Sequence, residues 1–388
     1  MEENNLANEI AKLCVAHYNQ LPKTGKPNTK QWTIMSAIVE QNKFKNTLKV
    51  VSLGTGSKCI GQNKLCPNGS IVNDSHAEVI CRRAFIRYLY QKINQYYLND
   101  KKTIFTKNTN TNSNQLQLKP DVNFHLFCTQ VPCGDAAIFP KQFDNDFAGE
   151  CLISVNEEQN SNNKRILDIN RTGAKCLKTE EKQDVHGEGP NYHVTGVIRT
   201  KPGRGDPTSS KSCSDKLARW IRVGIQGALL TLLTEPIYLQ SIILAENVNY
   251  SNEAFERALV SRFCNSEIPL NTPFKLIIPN IIQSNVSFPH QKESNLDLCP
   301  SSIIWCDFEE CNLEIAVNGF KQGVIKKQLG SKKAQLYICK KRLFETLITI
   351  IDKHSLWKLF NDCSLTTRND LGKLTYLDVK NKCVEYNS

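Results

Sequence analysis

His76, Ala77 and Glu78 put an imidazole and a carboxylate two residues apart, and Pro132-Cys133 follows later in the chain. H-x-E and P-C are the two halves of a zinc-deaminase signature, in which His and Cys hold the metal and the Glu moves protons without being a ligand. Zinc catalysis needs three protein ligands and one position left for water. The compact form of the signature places the third ligand three residues after the first cysteine, as P-C-x-x-C, and here that position is Ala136. Cys128, Cys151, Cys176 and Cys213 are the nearby alternatives. Cys213 is preferred because Ser212-Cys213-Ser214-Asp215-Lys216 reads as a helix start, where the macrodipole and unpaired N–H groups favour thiolate. Cys128 falls on an apolar strand and reads as core. With zinc bound, water is acidified to a pKa of roughly 7. Glu78 is then close enough to take the water proton and return it to a ring nitrogen and a departing amine, help worth about 10²- to 10⁴-fold in rate.

Elements must hold these groups together. Asn73-Asp74-Ser75 cluster as a helix cap ahead of the apolar-periodic Val79, Ile80, Phe85, Ile86 and Leu89, which puts His76 and Glu78 at a helix start. Residues 6 to 18 have a helical period, with Leu6, Ile10, Leu13, Cys14 and His17 on one side. Trp32–Val39 and Thr47–Leu53 read as strands, followed by a loop-rich stretch from Gly54 to Gly69 whose glycines allow close backbone approach to a ligand, with a bulged hairpin the reading that local grounds favour. Phe124–Cys128 reads as a short buried strand that delivers Cys133. Leu217, Trp220, Ile221, Ile225 and Leu229 recur at helical spacing after Cys213; Pro236–Leu244 reads as a strand and Asn252–Phe263 as an amphipathic helix. Polar, aperiodic stretches at 106–120 and 156–165 read as surface insertions. With no repeat and no clear linker, residues 1–388 are expected to form a single domain.

Composition narrows the class. Of 388 residues, 40% are hydrophobic and 22% charged, as in ordinary globular proteins. The sixteen irregularly spaced cysteines fit reduced thiols better than a disulfide framework. The start lacks the basic and apolar segments of a signal peptide, and no apolar run approaches membrane-spanning length, so an intracellular protein without a membrane partner is expected. A net charge of +11 favours a polyanionic partner. From Ile315 to Phe344 there is no Asp or Glu, yet Lys321, Lys326, Lys327, Lys332, Lys333, Lys340, Lys341 and Arg342 all carry positive charge. Such a run is either a solvated face or the seat of an anion.

Taken together, His76-Ala77-Glu78, Pro132-Cys133-Gly134-Asp135 and Ser212-Cys213-Ser214-Asp215-Lys216 resemble the adenosine deaminases acting on RNA. Gly54-Thr55-Gly56-Ser57-Lys58-Cys59, Arg82-Arg83, Ala218-Arg219-Trp220 and Gly224-Ile225-Gln226-Gly227 extend the resemblance across nearly the whole chain. Leu21-Pro22-Lys23, Gly25-Lys26-Pro27, Trp32-Thr33 and Lys201-Pro202-Gly203-Arg204-Gly205-Asp206 look like the branch that modifies tRNA. The resemblance implies a cytidine-deaminase-like three-layer αβα sandwich, of the α/β class with a mixed sheet, followed by a mostly helical C-terminal part. It implies zinc on His76, Cys133 and Cys213, Glu78 as catalytic proton carrier, and conversion of adenosine to inosine at position 37 in the anticodon arm of alanine tRNA. Ser57 would meet the target ribose and Lys58 a phosphate.

The family also buries inositol hexakisphosphate. Asn73, Arg82, Arg83, Lys216, Arg219, Trp220, Lys340, Tyr376, Lys380 and Tyr386 match the positions that line that cavity. Ala228 departs from the hydroxyl usual in the wider family, and the chain stops before the last helix of the pattern, so a truncated C-terminal end is expected. No obligate protein partner is evident. Two other readings compete: deamination of adenosine in double-stranded RNA, or of cytidine, and an inactive scaffold that binds RNA or inositol phosphate. A cytidine enzyme would keep the close P-C-x-x-C pair. A silent scaffold would be marked by loss of Glu78 or a ligand, and none is lost.

Overall fold

The computed structural model describes residues 2–108, 115–140, 169–177, 183–184, 193–203, 205–206, 208–263 and 273–357. In chain order the elements begin with α1 (Glu2–Gln20), β1 (Gln31–Trp32), β2 (Met35–Asn42), β3 (Thr47–Thr55), β4 (Ser57–Cys59), β5 (Asp74–His76) and α2 (Ala77–Tyr97). Then come β6 (Phe105–Lys107), β7 (Leu116–Leu118), β8 (Val122–Cys128), β9 (Phe139–Pro140), β10 (Ile169–Asn170), β11 (Lys175–Cys176), β12 (Arg199–Thr200) and α3 (Cys213–Val223). The remainder are β13 (Ser241–Leu244), α4 (Asn252–Leu259), β14 (Asn280–Gln283), β15 (Asp297–Leu298), β16 (Ser301–Cys306), β17 (Leu313–Val317), β18 (Phe320–Lys321) and α5 (Lys340–Lys353).

Eight strands form one mixed sheet in the order β14-β13-β8-β2-β3-β16-β17-β18. The β8, β13 and β14 strands run parallel, and every neighbour from β8 through β2 to β18 is antiparallel. Because side chains alternate across a sheet, register shows where the helices lie. Ser52 and its partner Cys306 point at α2, since their side chains meet Cys81 Sγ (3.3 Å) and the Ala84 carbonyl (3.1 Å). Leu53 pairs with Trp305 on the other face, and the Trp305 ring packs 4.0 Å from His17 of α1. Thus α1 and α2 cover opposite faces, giving the three-layer α/β sandwich that the sequence implied. The α1 stripe of Ala7, Ile10, Ala11, Cys14 and Tyr18 is wholly buried, as is Phe85 of α2 against Phe124 of β8 at 4.8 Å. Among the described residues no helix is long and apolar enough to cross a membrane.

Several local expectations change. Asn73-Asp74-Ser75 do not cap α2: Asp74 and Ser75 lie in β5, and His76 occupies the cap position without a side-chain cap bond. The Asp74 carboxylate is taken by distant lysines, so a tertiary contact overrides its capping preference. The Gly54 loop is ordered strand, with β3 running to Thr55 and β4 pairing with β5. In the 106–120 stretch, β6 and β7 pair antiparallel and bury Leu116, because Leu116 and Leu118 anchor what otherwise reads as a polar run; residues 109–114 lie outside the described residues. The strand expected over Pro236–Leu244 is confined to Ser241–Leu244, and the helix from Asn252 ends at Leu259, followed by a 3-10 turn at Ser261–Phe263. The 156–165 stretch, Cys151, Tyr376, Lys380 and Tyr386 lie outside the described residues.

Candidate active site

Each half of the signature is delivered by an element whose geometry a single residue permits. His76 leaves β5, paired with Ser57 of β4, and the next residue begins α2. Gly56 fixes that junction: its carbonyl accepts from Ala77 N (2.9 Å) and its own N–H donates to the Ile34 carbonyl (2.9 Å). Its φ is +128°, and an added Cβ would sit 2.5 Å from the Ser75 carbonyl, so only glycine fits. Glu78 follows in the first turn of α2, buried, near enough for its charge to act on the thiols of Cys133 and Cys213.

Cys133 arrives from β8. After Cys128 the chain is pinned by Thr129, which exchanges bonds with the Met35 backbone at 2.9 and 3.0 Å, and turns at Gly134 with φ +112°. A Cβ on Gly134 would lie 2.2 Å from Ser212 Oγ and 2.6 Å from Ser212 Cβ. Ser212 in turn caps α3, its hydroxyl accepting from Asp215 N at 3.2 Å. Cys213 is therefore the first residue of a helix whose free N–H groups serve Cys133: Cys213 N donates to Cys133 Sγ (3.4 Å) and Ser214 N to its carbonyl (2.9 Å).

His76 Nδ1 lies 3.7 Å from Cys133 Sγ and 3.7 Å from Cys213 Sγ, and the three ligand atoms all fall within 4.8 Å of one another. A tetrahedral zinc with bonds of about 2.3 Å to sulfur and about 2.0 Å to nitrogen separates S and N by about 3.6 Å. The spacing and the donor set fit zinc. Burial and the neighbouring Cys133 sulfur push the Cys213 thiol well above its ordinary value, while a hydrogen bond from Cys213 holds Cys133 below it. Two such sulfurs become thiolates together when a cation sits between them.

Behind Cys213 stands an ion cluster that local sequence patterns did not reveal. Lys201, wholly buried, donates from Nζ to Cys213 Sγ (3.1 Å) and to Asp74 Oδ2 (2.9 Å). Asp74 also accepts from Ser210 Oγ (2.6 Å), from Lys216 Nζ and from His76 N (3.1 Å). Burial would raise the Asp74 carboxyl, but Lys201 and Lys216 outweigh it and hold it well below the usual range. Burial likewise opposes the Lys201 charge and is outweighed by Asp74 and Cys213. Asp74 and Lys201 are 127 residues apart, so no spacing could have paired them.

The segment bearing Lys201 is strapped down by the motif aspartates. Asp135 and Asp215, each two residues after a site cysteine, accept from Gly196 N (2.8 Å) and Arg199 N (3.0 Å). The Arg199 guanidinium, fully buried, donates to both oxygens of Asp184 at 2.7 and 2.6 Å. Arg257 of α4 donates to Asp135 Oδ2 (3.0 Å) and Arg262 pairs with Asp215 (2.7 Å).

The remaining expected residues divide by place. Ser57 is half-buried beside His76, and Lys58 is exposed. Arg82 Nε donates to the Ile225 carbonyl (2.9 Å) with its guanidinium 5.2 Å over the Trp220 ring, and Arg83 donates to the Ile338 carbonyl (3.1 Å). Lys216 reaches Ser210 Oγ (2.9 Å); Arg219 and Lys340 are exposed, and Asn73 is half-buried. Cys128 and Cys176 are buried away from this group, and Cys128 contacts Ser36 Oγ at 3.4 Å. Outside the group, His125 Nδ1 bonds Ser241 Oγ (2.8 Å) and His193 Nδ1 stands 3.1 Å from Asp184 Oδ2.

The chain matches the adenosine-deaminase (editase) domain family over residues 52–388. It is 39% identical over 347 residues to tRNA-specific adenosine deaminase 1 of Drosophila melanogaster, an alignment covering 88% of this chain and 82% of that protein. With the protein of the same name from Mus musculus it shares 34% over 438 residues, covering 88% of this chain and 87% of that one. With the double-stranded RNA-specific adenosine deaminase of Mus musculus it shares 30% over 388 residues, 97% of this chain but 30% of that protein.

Proposed function

This chain belongs to the adenosine-deaminase (editase) family, among the tRNA-specific adenosine deaminases, and we propose that it hydrolyses adenosine to inosine in tRNA with zinc, at position 37 of alanine tRNA. The observation that carries the chemistry is the His76–Cys133–Cys213 triangle, 3.7 Å from nitrogen to each sulfur, with Glu78 buried in the adjoining helical turn. Zinc held by these three groups would supply a water whose pKa falls to roughly 7 and a Lewis acid beside the base. Glu78 takes one proton from the attacking water and passes it to the ring nitrogen as the oxygen bonds the amino-bearing carbon; it then takes the second proton from the new hydroxyl and delivers it to the leaving amine, so that ammonia departs and the oxygen stays as the carbonyl of inosine. Ser57, opposite His76 on β4, would hold the target ribose, and exposed Lys58 a phosphate.

An anticodon loop is already partly unstacked, so extruding its adenosine costs a few kcal/mol less than from a duplex. The tRNA-specific proteins of Drosophila melanogaster and Mus musculus align along most of both chains at 39% and 34% identity, whereas the double-stranded RNA-specific protein of Mus musculus aligns at 30% over 30% of its own length, which favours tRNA over duplex RNA. The inositol hexakisphosphate reading is supported by the match of Arg82 and Arg83 of α2, Lys216 and Arg219 of α3 and Lys340 of α5 to cavity-lining positions of the family, and by the Arg82 guanidinium lying 5.2 Å over the Trp220 ring. An intracellular location is supported by twelve described cysteines that are all unpaired. Incubating the protein with alanine tRNA and, separately, with a perfect RNA duplex, then sequencing for A-to-I change, tests the substrate. Inosine in the duplex and none in the tRNA would overturn this reading.

A further inference from the structure

The acid-free stretch from Ile315 to Phe344 is absorbed only in part by the site, through Lys340. Six of its seven lysines fall in three pairs, each opening a helical turn: Lys326-Lys327 in the 3-10 turn Lys326–Gln328, Lys332-Lys333 in Lys332–Ala334, and Lys340-Lys341 in α5. All six are exposed. At the start of α5, where the helix N-terminus disfavours cations, the Lys340-Lys341 placement runs against local electrostatics. Among the described residues, carboxylates offset little of this charge. Lys332 shares the half-exposed Glu345 with Arg342, at 4.0 and 3.1 Å, and Lys321 stands 4.0 Å from Glu314.

The lysine-bearing stretch is tied to the site segment through the backbone at Gly319 and Lys341. Lys341 N donates to the Gly69 carbonyl (3.1 Å), and Val72 N to the Gly319 carbonyl (3.1 Å). Gly69 and Val72 belong to the loop that leaves β4 after Cys59 and enters β5 just before His76. The same loop carries exposed Lys64, and β4 carries exposed Lys58. Exposed Lys58 and Lys64 thus flank the segment that carries His76, and the backbone of that segment is bonded to the lysine-bearing stretch at Gly319 and Lys341.

We infer that the ridge of Lys326, Lys327, Lys332 and Lys333 is the surface on which the body of the tRNA, beyond its anticodon arm, lays its phosphate backbone. This rests on the tRNA reading above. Solvated lysines with few carboxylate partners suit a polyanion whose repeating charge needs no sequence readout. The substitution Lys→Gln at all four positions, on surface side chains, should leave the fold intact by circular dichroism.

Binding of labelled alanine tRNA, and of its isolated anticodon stem-loop, is measured at several salt concentrations. The expected result is tRNA affinity reduced about tenfold or more and a log K against log salt slope reduced by about 0.7 to 0.9 for each lysine engaged. The stem-loop should be nearly unaffected, and turnover at saturating tRNA unchanged. Unchanged tRNA affinity and slope, or an equal loss for tRNA and stem-loop, would overturn the inference. Because binding is read separately from inosine, wild-type protein that bound through the ridge but made no inosine would sustain the ridge and overturn only the activity.

Discussion

Lys201 Nζ stands 3.1 Å from Cys213 Sγ, a fully buried ammonium that joins a site cysteine to the carboxylate of Asp74. Removing one partner of a buried ion cluster leaves an uncompensated charge, which is more damaging than never having had the pair. Lys201→Met should lower unfolding stability by about 3 kcal/mol, the low end for such losses because Lys216 and Ser210 still contact Asp74. Urea unfolding of the two proteins measures it. A change below about 1 kcal/mol would mean that the cluster contributes little.

The glycine in Pro132-Cys133-Gly134 is a steric requirement of the site. With φ +112° and Ser212 Oγ 2.2 Å from where a Cβ would be, Gly134→Ala must displace the cap of α3 and with it Cys213. Zinc content measured by atomic emission should fall well below one equivalent, with inosine formation reduced by at least about tenfold. Gly173→Ala, where an added Cβ meets nothing within 4 Å, is the control and should retain its zinc.

His125 gives the stability a pH dependence unrelated to catalysis. Its ring is buried between Ser241 Oγ (2.8 Å) and Gln41 Oε1 (3.1 Å), and burial, helped by Lys43, pushes its pKa down to about 4. An unfolded chain protonates this histidine below about 6.5. The unfolded state thus binds the extra proton first, so the contribution is complete above about pH 6.5 and is lost as pH falls from there toward 4. About 3 kcal/mol should disappear across that window. Unfolding free energies at intervals from pH 7 to 4 check this, and His125→Asn, whatever its absolute stability, should lose that part of the slope.

The chemistry was more legible than its support. His76, Glu78, Cys133 and Cys213 stand in short motifs, and the Ser212 cap that aims α3 is itself a local signal. Helices α1, α2 and α3 announce themselves by period. The Asn73-Asp74-Ser75 cap failed because Asp74 is claimed by lysines far along the chain, and Gly54–Cys59 read as loop because β4 gains its partner β5 only in three dimensions. Two-residue strands such as β11 and β12 carry no periodicity at all. Asp135 and Asp215 were visible as motif letters, but their grip on Gly196 and Arg199 is purely tertiary.

On the proposed reading, the same geometry predicts metal dependence. Cys213→Ser keeps the helix start but replaces a thiolate with a poor zinc ligand, so it should bind less than a tenth of an equivalent, by about the 10-fold or greater loss expected for site disruption. Chelation of the wild type should abolish inosine formation, and added zinc should restore it. Full activity in the chelated protein would exclude this site as the centre of the reaction.

The most direct measurement sets wild type beside Glu78→Ala, each with zinc content determined, in a single incubation with alanine tRNA read by sequencing at position 37. Wild type should convert adenosine to inosine, while Glu78→Ala should hold a full equivalent of zinc and lose at least about 10²-fold in rate. Equal conversion by the two zinc-loaded proteins, or none by zinc-loaded wild type, would contradict a hydrolytic deaminase built on Glu78.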